Sequence, residues 1–160
     1  MKPKETDKLI DGVEIKELKV IQTFNKEKVN NGWLIDILRS TDPIKKDKDR
    51  FAQLYMTTAY PGMVKGFHWT KKKTYLFFCA TSLAKLVLID DRHGSPSYGN
   101  INEILMGEDN FKVVRIPPLV KRAFKNIGDK LLLMFNCVDI PYTPEDHDIY
   151  DWEIDYDWEE

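Results

Sequence analysis

The sequence predicts an all-β domain, a sandwich or barrel, and three observations carry that prediction. Short runs rich in Val, Ile, Phe, Tyr and Leu recur along the chain, most of them separated by Gly, Pro, Asn, Asp or Lys. Several alternate with period two: Phe51, Gln53 and Tyr55 fall on one face, Ala52, Leu54 and Met56 on the other, as in a strand with two unlike faces. Helical patterning is weak, since INEILMG and LVKRAFKN are the only short candidates and neither has the length of a free-standing amphipathic helix.

In chain order the strand-like runs are KELKVIQTF, GWLIDILRS, RFAQLYMTT, KTYLFFCAT, LAKLVLIDD, FKVVRIPP and DKLLLMFNCV. Each is apolar enough to bury one face, and turn-forming residues interrupt the chain between most of them. The lysine-rich TDPIKKDKDR reads as a solvated loop, and the tail EDHDIYDWEIDYDWEE as a charged surface with anchoring Trp and Tyr. No internal repeat is present.

A length of 160 residues, 42% hydrophobic and 31% charged, suits a single domain over 1–160. Lys+Arg 24 against Asp+Glu 26 leaves a net charge of -2, without the basic footprint of a nucleic-acid binder. Cys79 and Cys137 sit in apolar runs and imply no disulfide framework. The start has no apolar stretch of signal-peptide length and no run is long enough to span a bilayer, so a soluble cytoplasmic protein without a membrane partner is expected.

The local chemistry is narrow. His68, His93 and His147 are the only imidazoles and are not at metal-ligand spacing, so no metal site is expected. No G-x-S-x-G, P-loop or G-x-G-x-x-G occurs, and no cofactor is expected. What remains is PGMVKGFHWTKKK, where Gly62, Lys65, Gly66 and His68 share a short segment beside an aromatic. An imidazole near a carboxylate and a cation is a workable site for proton abstraction.

FAQLYMTTAYPGMVKGFHW resembles the F-x-Q-x-N-x-S-x-S-x-x-G-x-x-R-G-x-H signature of the dTDP-4-dehydrorhamnose 3,5-epimerases, and IDDRHGSPSYG is similar to their D-x-R-x-G-S-P-T-F-G. VVRIPPLVKRAF and DIPYTPEDH resemble two further motifs, I-P-x-G-F-A-H-G-F and D-x-Y-x-P-E-x-E, in the same order. The resemblance implies a cupin-type jelly roll, a double-stranded β-helix with its core from about 30 to 158, in a homodimer that exchanges N-terminal strands. It also implies epimerisation at C3 and/or C5 of a nucleotide-linked 4-keto-6-deoxy sugar in deoxysugar or polysaccharide biosynthesis. The alternatives are a 3,4-ketoisomerase on the same substrate class and a catalytically silent cupin that binds a nucleotide sugar.

Carried over residue by residue, the resemblance makes His68 the base and Asp151 its orienting carboxylate, with Asp148 as the second choice. Lys65 replaces the arginine before Gly-x-His, keeping the charge but losing the planar fork. The family lysine falls on Tyr75, leaving Lys73, or the nearby Lys71 or Lys72, as substitutes, or Tyr75 itself as a relocated acid. Phe135 stands where the family has its catalytic tyrosine and has no proton to give. Gln53, Trp33, Asp36, Arg92, Arg122 and Tyr142 are the expected substrate contacts. Arg122 replaces the family's second histidine, and Asn31 the arginine that contacts the nucleotide.

Overall fold

The computed structural model describes residues 4–5, 8–46 and 50–159. Thirteen strands form among them: β1 (Lys4–Glu5), β2 (Glu14–Glu17), β3 (Val20–Phe24), β4 (Asn30–Ile35), β5 (Gln53–Ala59), β6 (Val64–Trp69), β7 (Tyr75–Thr81), β8 (Leu83–Ile89), β9 (Asn100–Gly107), β10 (Lys112–Ile116), β11 (Lys121–Asn126), β12 (Leu132–Val138) and β13 (Ile149–Tyr150). One sheet runs β1-β9-β8-β11-β6-β13, the other β2-β10-β7-β12-β5, and β3 with β4 makes a separate hairpin. Apart from the parallel β1–β9 pair, the ladders are antiparallel. The architecture is the expected all-β cupin-type jelly roll.

The two sheets close on one core. Leu86 and Leu88 from β8, Met106 from β9 and Phe124 from β11 meet Phe77 from β7, Val114 from β10 and Met134 from β12. Each such side chain stabilises the fold by roughly 1.5–3 kcal/mol relative to exposure. Ile10 and Val13 belong to the same core, so the packed interior begins before the expected start near residue 30.

The two segments with helical spacing are strands. INEILMG lies in β9, which pairs with β8 over seven residues, and LVKRAFKN contains β11, which pairs with both β8 and β6. Hydrogen bonding to flanking strands outweighs a weak local helical preference in runs this short. The VKGFHW stretch is likewise a strand, β6. Of the TDPIKKDKDR loop, residues 47–49 lie outside the described residues, as do 1–3 and 6–7 of the N-terminal stretch. Ile44 in that loop is buried against Leu76 and Val113 rather than solvated.

Two features of the fold position the site. On β5 the period of two holds: Gln53 and Tyr55 face inward, while Leu54 and Met56 are 56% and 51% exposed on the outer face. After β13 the tail crosses the outer face of the six-stranded sheet, where Ile154, Tyr156 and Trp158 pack against a cluster containing Phe67 and Val87. The Phe67 ring lies 6.1 Å from that of Tyr156 and 6.0 Å from that of Trp158.

Candidate active site

Inside the jelly roll lies a cavity of about 640 Å³. Gln53 and Tyr55 from β5, Lys73 and Tyr75 at the start of β7 and Val138 at the end of β12 form part of its wall. Tyr142, His147, Asp148 and Tyr150, from the segment after β12, complete it. The phenols come from separate elements, and Gln53 ties two of these together by accepting a 2.8 Å hydrogen bond from the Tyr142 backbone N–H.

Asp148 is the point of convergence. Tyr75 Oη donates to Asp148 Oδ1 at 3.0 Å, and Arg122 Nη2 donates to the same oxygen at 3.0 Å. His68 Nε2 stands 3.7 Å from Asp148 Oδ2. The ladders explain the meeting: Arg122 of β11 and Tyr150 of β13 are the register partners of His68 on its two sides. The Tyr150 ring lies 5.4 Å from the imidazole and stacks on Trp152 at 4.9 Å.

Burial pushes the His68 pKa down to about 4, the Arg122 guanidinium adds to the shift, Asp148 opposes it, and Lys65 weakly reinforces it. The imidazole is therefore neutral at ordinary pH and able to accept a proton. Nδ1 has no hydrogen-bond partner among the described residues. Tyr75 is in the opposite condition. Burial pushes its phenol well above the usual range, against the pull of Arg122, so it holds its proton. Burial also raises Tyr55, beside it. A base and a proton-bearing acid thus share one carboxylate.

Lys73 is buried, with Nζ donating to the Asp146 carbonyl at 2.5 Å and lying 5.6 Å from the Tyr142 ring. It is the cation of the cavity wall, whereas Lys71 and Lys72 are exposed. Lys65 donates from Nζ to Thr57 Oγ1 at 2.8 Å and lies outside the wall.

Several expected placements are corrected. Asp151 does not meet His68: its carboxylate pairs with Lys121 Nζ at 2.7 Å, and that hydrogen bond holds its pKa below the usual carboxylate range. Side chains alternate along an extended segment, so Asp148 and Tyr150 turn toward His68 and Asp151 turns away. Arg92 is a strand-end clamp, donating to Asp90 from Nε at 2.7 Å and from Nη2 at 2.9 Å, apart from the cavity. Arg122 is 1% exposed behind the wall instead of lining it. Trp33 and Asp36 belong to the β3–β4 hairpin region, where Trp33 packs 5.7 Å from Phe111 and Asp36 binds Arg39, and neither lines this chain's cavity.

Phe135 points to the outer face and stacks on Phe78. The alternation of β12 runs unbroken, with Leu132, Met134, Asn136 and Val138 buried, so Phe135 falls on the opposite face; the irregularity between Leu133 and Met134 is an extra residue, Ala80, on β7. The buried neighbour is Asn136, whose Nδ2 donates to the Met134 carbonyl at 3.2 Å. Sequence reasoning missed Tyr55 and Tyr150 as wall residues. The signal for Tyr55 was its shared parity with Gln53, and for Tyr150 its spacing from Asp148.

A family model described as dTDP-4-dehydrorhamnose 3,5-epimerase matches residues 13–160. The spore coat polysaccharide biosynthesis protein SpsL of Bacillus subtilis (strain 168) is 29% identical over 140 residues, covering 88% of this chain and 87% of that protein. The "probable low-salt glycan biosynthesis epimerase Agl13" of Haloferax volcanii is 31% identical over 141 residues, covering 87% and 85%. Among solved structures, a dTDP sugar isomerase from Desulfovibrio desulfuricans G20 superposes with a TM-score of 0.79 at 28% identity, over 89% of this chain and 85% of that one.

Proposed function

Because the chain belongs to the dTDP-4-dehydrorhamnose 3,5-epimerase family, we propose that it inverts C3 and/or C5 of a nucleotide-linked 4-keto-6-deoxy sugar by removing and returning the proton next to the ketone. The observation that carries the reading is the pairing of a neutral His68 with a protonated Tyr75 at the two oxygens of Asp148.

In this mechanism His68 takes the proton α to the keto group. Asp148 stabilises the imidazolium that results, and the 3.7 Å separation shortens as the charge appears. Negative charge builds on the ketone oxygen, and Lys73, the cation of the wall, offsets it in the transition state specifically. Tyr75 returns a proton to the carbon from the other face, in place of the family's own tyrosine. Gln53, Tyr142 and Tyr150 hold the sugar and its diphosphate-linked nucleotide against the wall.

A homodimer completes the reading. The outer face of the five-stranded sheet carries an apolar groove of about 370 Å³ between Ile37, Phe51, Leu54 and Phe135. The β3–β4 hairpin also leaves Ile21, Phe24 and Trp33 exposed. Exposed apolar groups of this kind support an interface, and strand exchange there would carry Trp33 and Asp36 to the neighbouring copy's cavity. With that exchange, residues 1–160 act as one domain per copy.

The test is proton NMR of dTDP-4-keto-6-deoxyglucose in D2O with the wild type and His68→Asn. The expected result is deuterium at C3 or C5 with signals of the inverted sugar, both lost in the variant. Migration of the carbonyl to C3 without inversion would make it a ketoisomerase. Binding without any exchange would make it a nucleotide-sugar binder.

A further inference from the structure

Arg122 is the largest fully buried side chain among the described residues, and its position differs from that of a substrate ligand. Its guanidinium carbon lies 3.8 Å from the centre of the Tyr75 ring, and 5.9 Å from that of Phe77. Nη2 is committed to Asp148, Nη1 lies 3.5 Å from the His68 carbonyl, and Nε is buried with no hydrogen-bond partner among the described residues. The cation is therefore spread against a phenol face in a place water does not reach. Leaving one of its N–H groups unsatisfied costs free energy, so packing alone is a poor account of an arginine there.

We propose that Arg122 is a positioning residue that makes Tyr75 able to give up its proton, its guanidinium lying against the ring to stabilise the phenolate that proton donation leaves behind. The inference rests on the reading of Tyr75 as the acid. In the balanced step the Tyr75 O–H bond breaks as the new C–H bond forms at the enolate carbon, and the electron pair of the O–H bond stays on the phenolate oxygen. Water then reprotonates the phenolate, and the imidazolium of His68 releases its proton to water. Without a fixed cation, this phenolate would form beside the Asp148 carboxylate in a low-dielectric interior, where like charges repel strongly. Cation and ring in contact, both desolvated, interact more strongly than an exposed pair does.

The other charged groups facing the pair do not take over this role. Lys73 is engaged with Asp146, Lys65 with Thr57, and the imidazolium that His68 becomes in the first half faces the other oxygen of Asp148, Oδ2. Arg122 also helps to hold the His68 pKa down, so the two halves are separated above neutral pH, where His68 is neutral and only the second half depends on Arg122.

The experiment separates the two halves. Wild type, Tyr75→Phe, Arg122→Met and Arg122→Lys are each incubated above neutral pH in D2O with dTDP-4-keto-6-deoxyglucose. Exchange into recovered, uninverted sugar is compared with formation of the inverted product. The expected result is that Tyr75→Phe and Arg122→Met keep His68-dependent exchange while inversion falls, so the exchange-to-inversion ratio rises at least tenfold. Arg122→Lys, which keeps the charge without the flat guanidinium, shows a smaller rise and guards against a variant that does not fold. Exchange and inversion falling together in both folded arginine variants would overturn the proposal and leave the base intact. Absence of exchange in the wild type would overturn the proposal together with the function it rests on.

Discussion

Asp148 and Asp151 lie three residues apart on one extended segment and serve opposite sides of it: Asp148 Oδ2 is 3.7 Å from His68 Nε2, and Asp151 Oδ2 is 2.7 Å from Lys121 Nζ. Asp148→Asn is therefore expected to lower kcat on the order of 100-fold, since the imidazolium loses its counter-charge. Asp151→Asn breaks a partly exposed ion pair, costs about 1 kcal/mol or less, and leaves kcat within a few-fold of wild type. Steady-state kinetics with urea unfolding of both variants checks the contrast, and a larger kinetic loss in Asp151→Asn would return that residue to the site.

The pH dependence follows from the low pKa of His68. An unfolded histidine titrates at 6.5 and the folded one at about 4. The base needs the neutral form, so kcat/KM should stay level as pH falls through 6.5 and drop only near 4. Stability behaves accordingly. Above 6.5 neither state binds the proton, whereas between 6.5 and 4 only the unfolded state does, so this histidine lowers stability as pH falls through that window. Lys65→Met should move the kinetic limb upward, because the Lys65 charge helps to hold the pKa down. A limb near 6.5 in the wild type would show that His68 is solvated when it works.

Gly66 sets the height of the strand that carries His68. Its φ is +122°, and a Cβ there would lie 2.6 Å from both the Ala123 Cβ and the Arg122 carbonyl oxygen. Gly66→Ala is expected to cost about 3 kcal/mol or more in urea unfolding, from backbone strain and overlap together. The same change forces β6 away from β11, so activity should fall further than stability alone explains at temperatures where the variant is folded.

The apolar outer face gives a test of assembly. Leu54→Glu places a charge in the proposed interface at a position more than half exposed in one chain, so the fold should lose no more than about 0.5 kcal/mol. Sedimentation velocity should then show monomer where the wild type shows dimer. A wild type that sediments as a monomer at every concentration would remove the strand-exchange proposal.

The fold class was readable because β5, β7, β8, β10 and β12 are apolar enough to declare themselves without neighbours. β6, β9 and β11 were not, since Gly66, Glu103 and Lys125 interrupt their apolar runs and their pairing partners stabilise them instead. His68, Lys73, Tyr75, Gln53 and Tyr142 could be picked out as candidates from local motifs, and the structure gathers them at or beside one cavity. Asp148 over Asp151 was decided by the parity of a two-residue strand, too short to leave a pattern. The outward parity of Phe135 follows from the unbroken alternation of β12, which buries Met134 and Asn136 on either side of it. Arg92 kept the motif of a ligand but is held by Asp90 two residues away.

The anchoring of β13 has a consequence for which parts of the molecule open first. Its ladder to β6 is two residues long, supplemented by the Asp151 N–H to the Phe67 carbonyl at 3.0 Å, whereas β8 and β9 share seven pairs. Short ladders at a sheet edge open at lower free energy than central ones, without global unfolding. Amide hydrogens of 149–151 should therefore exchange with solvent orders of magnitude faster than those of β8, and a bound nucleotide sugar should slow them selectively. The carboxylate of Asp148 is then delivered by a fraying edge, and occupancy of the cavity becomes something amide exchange can report directly.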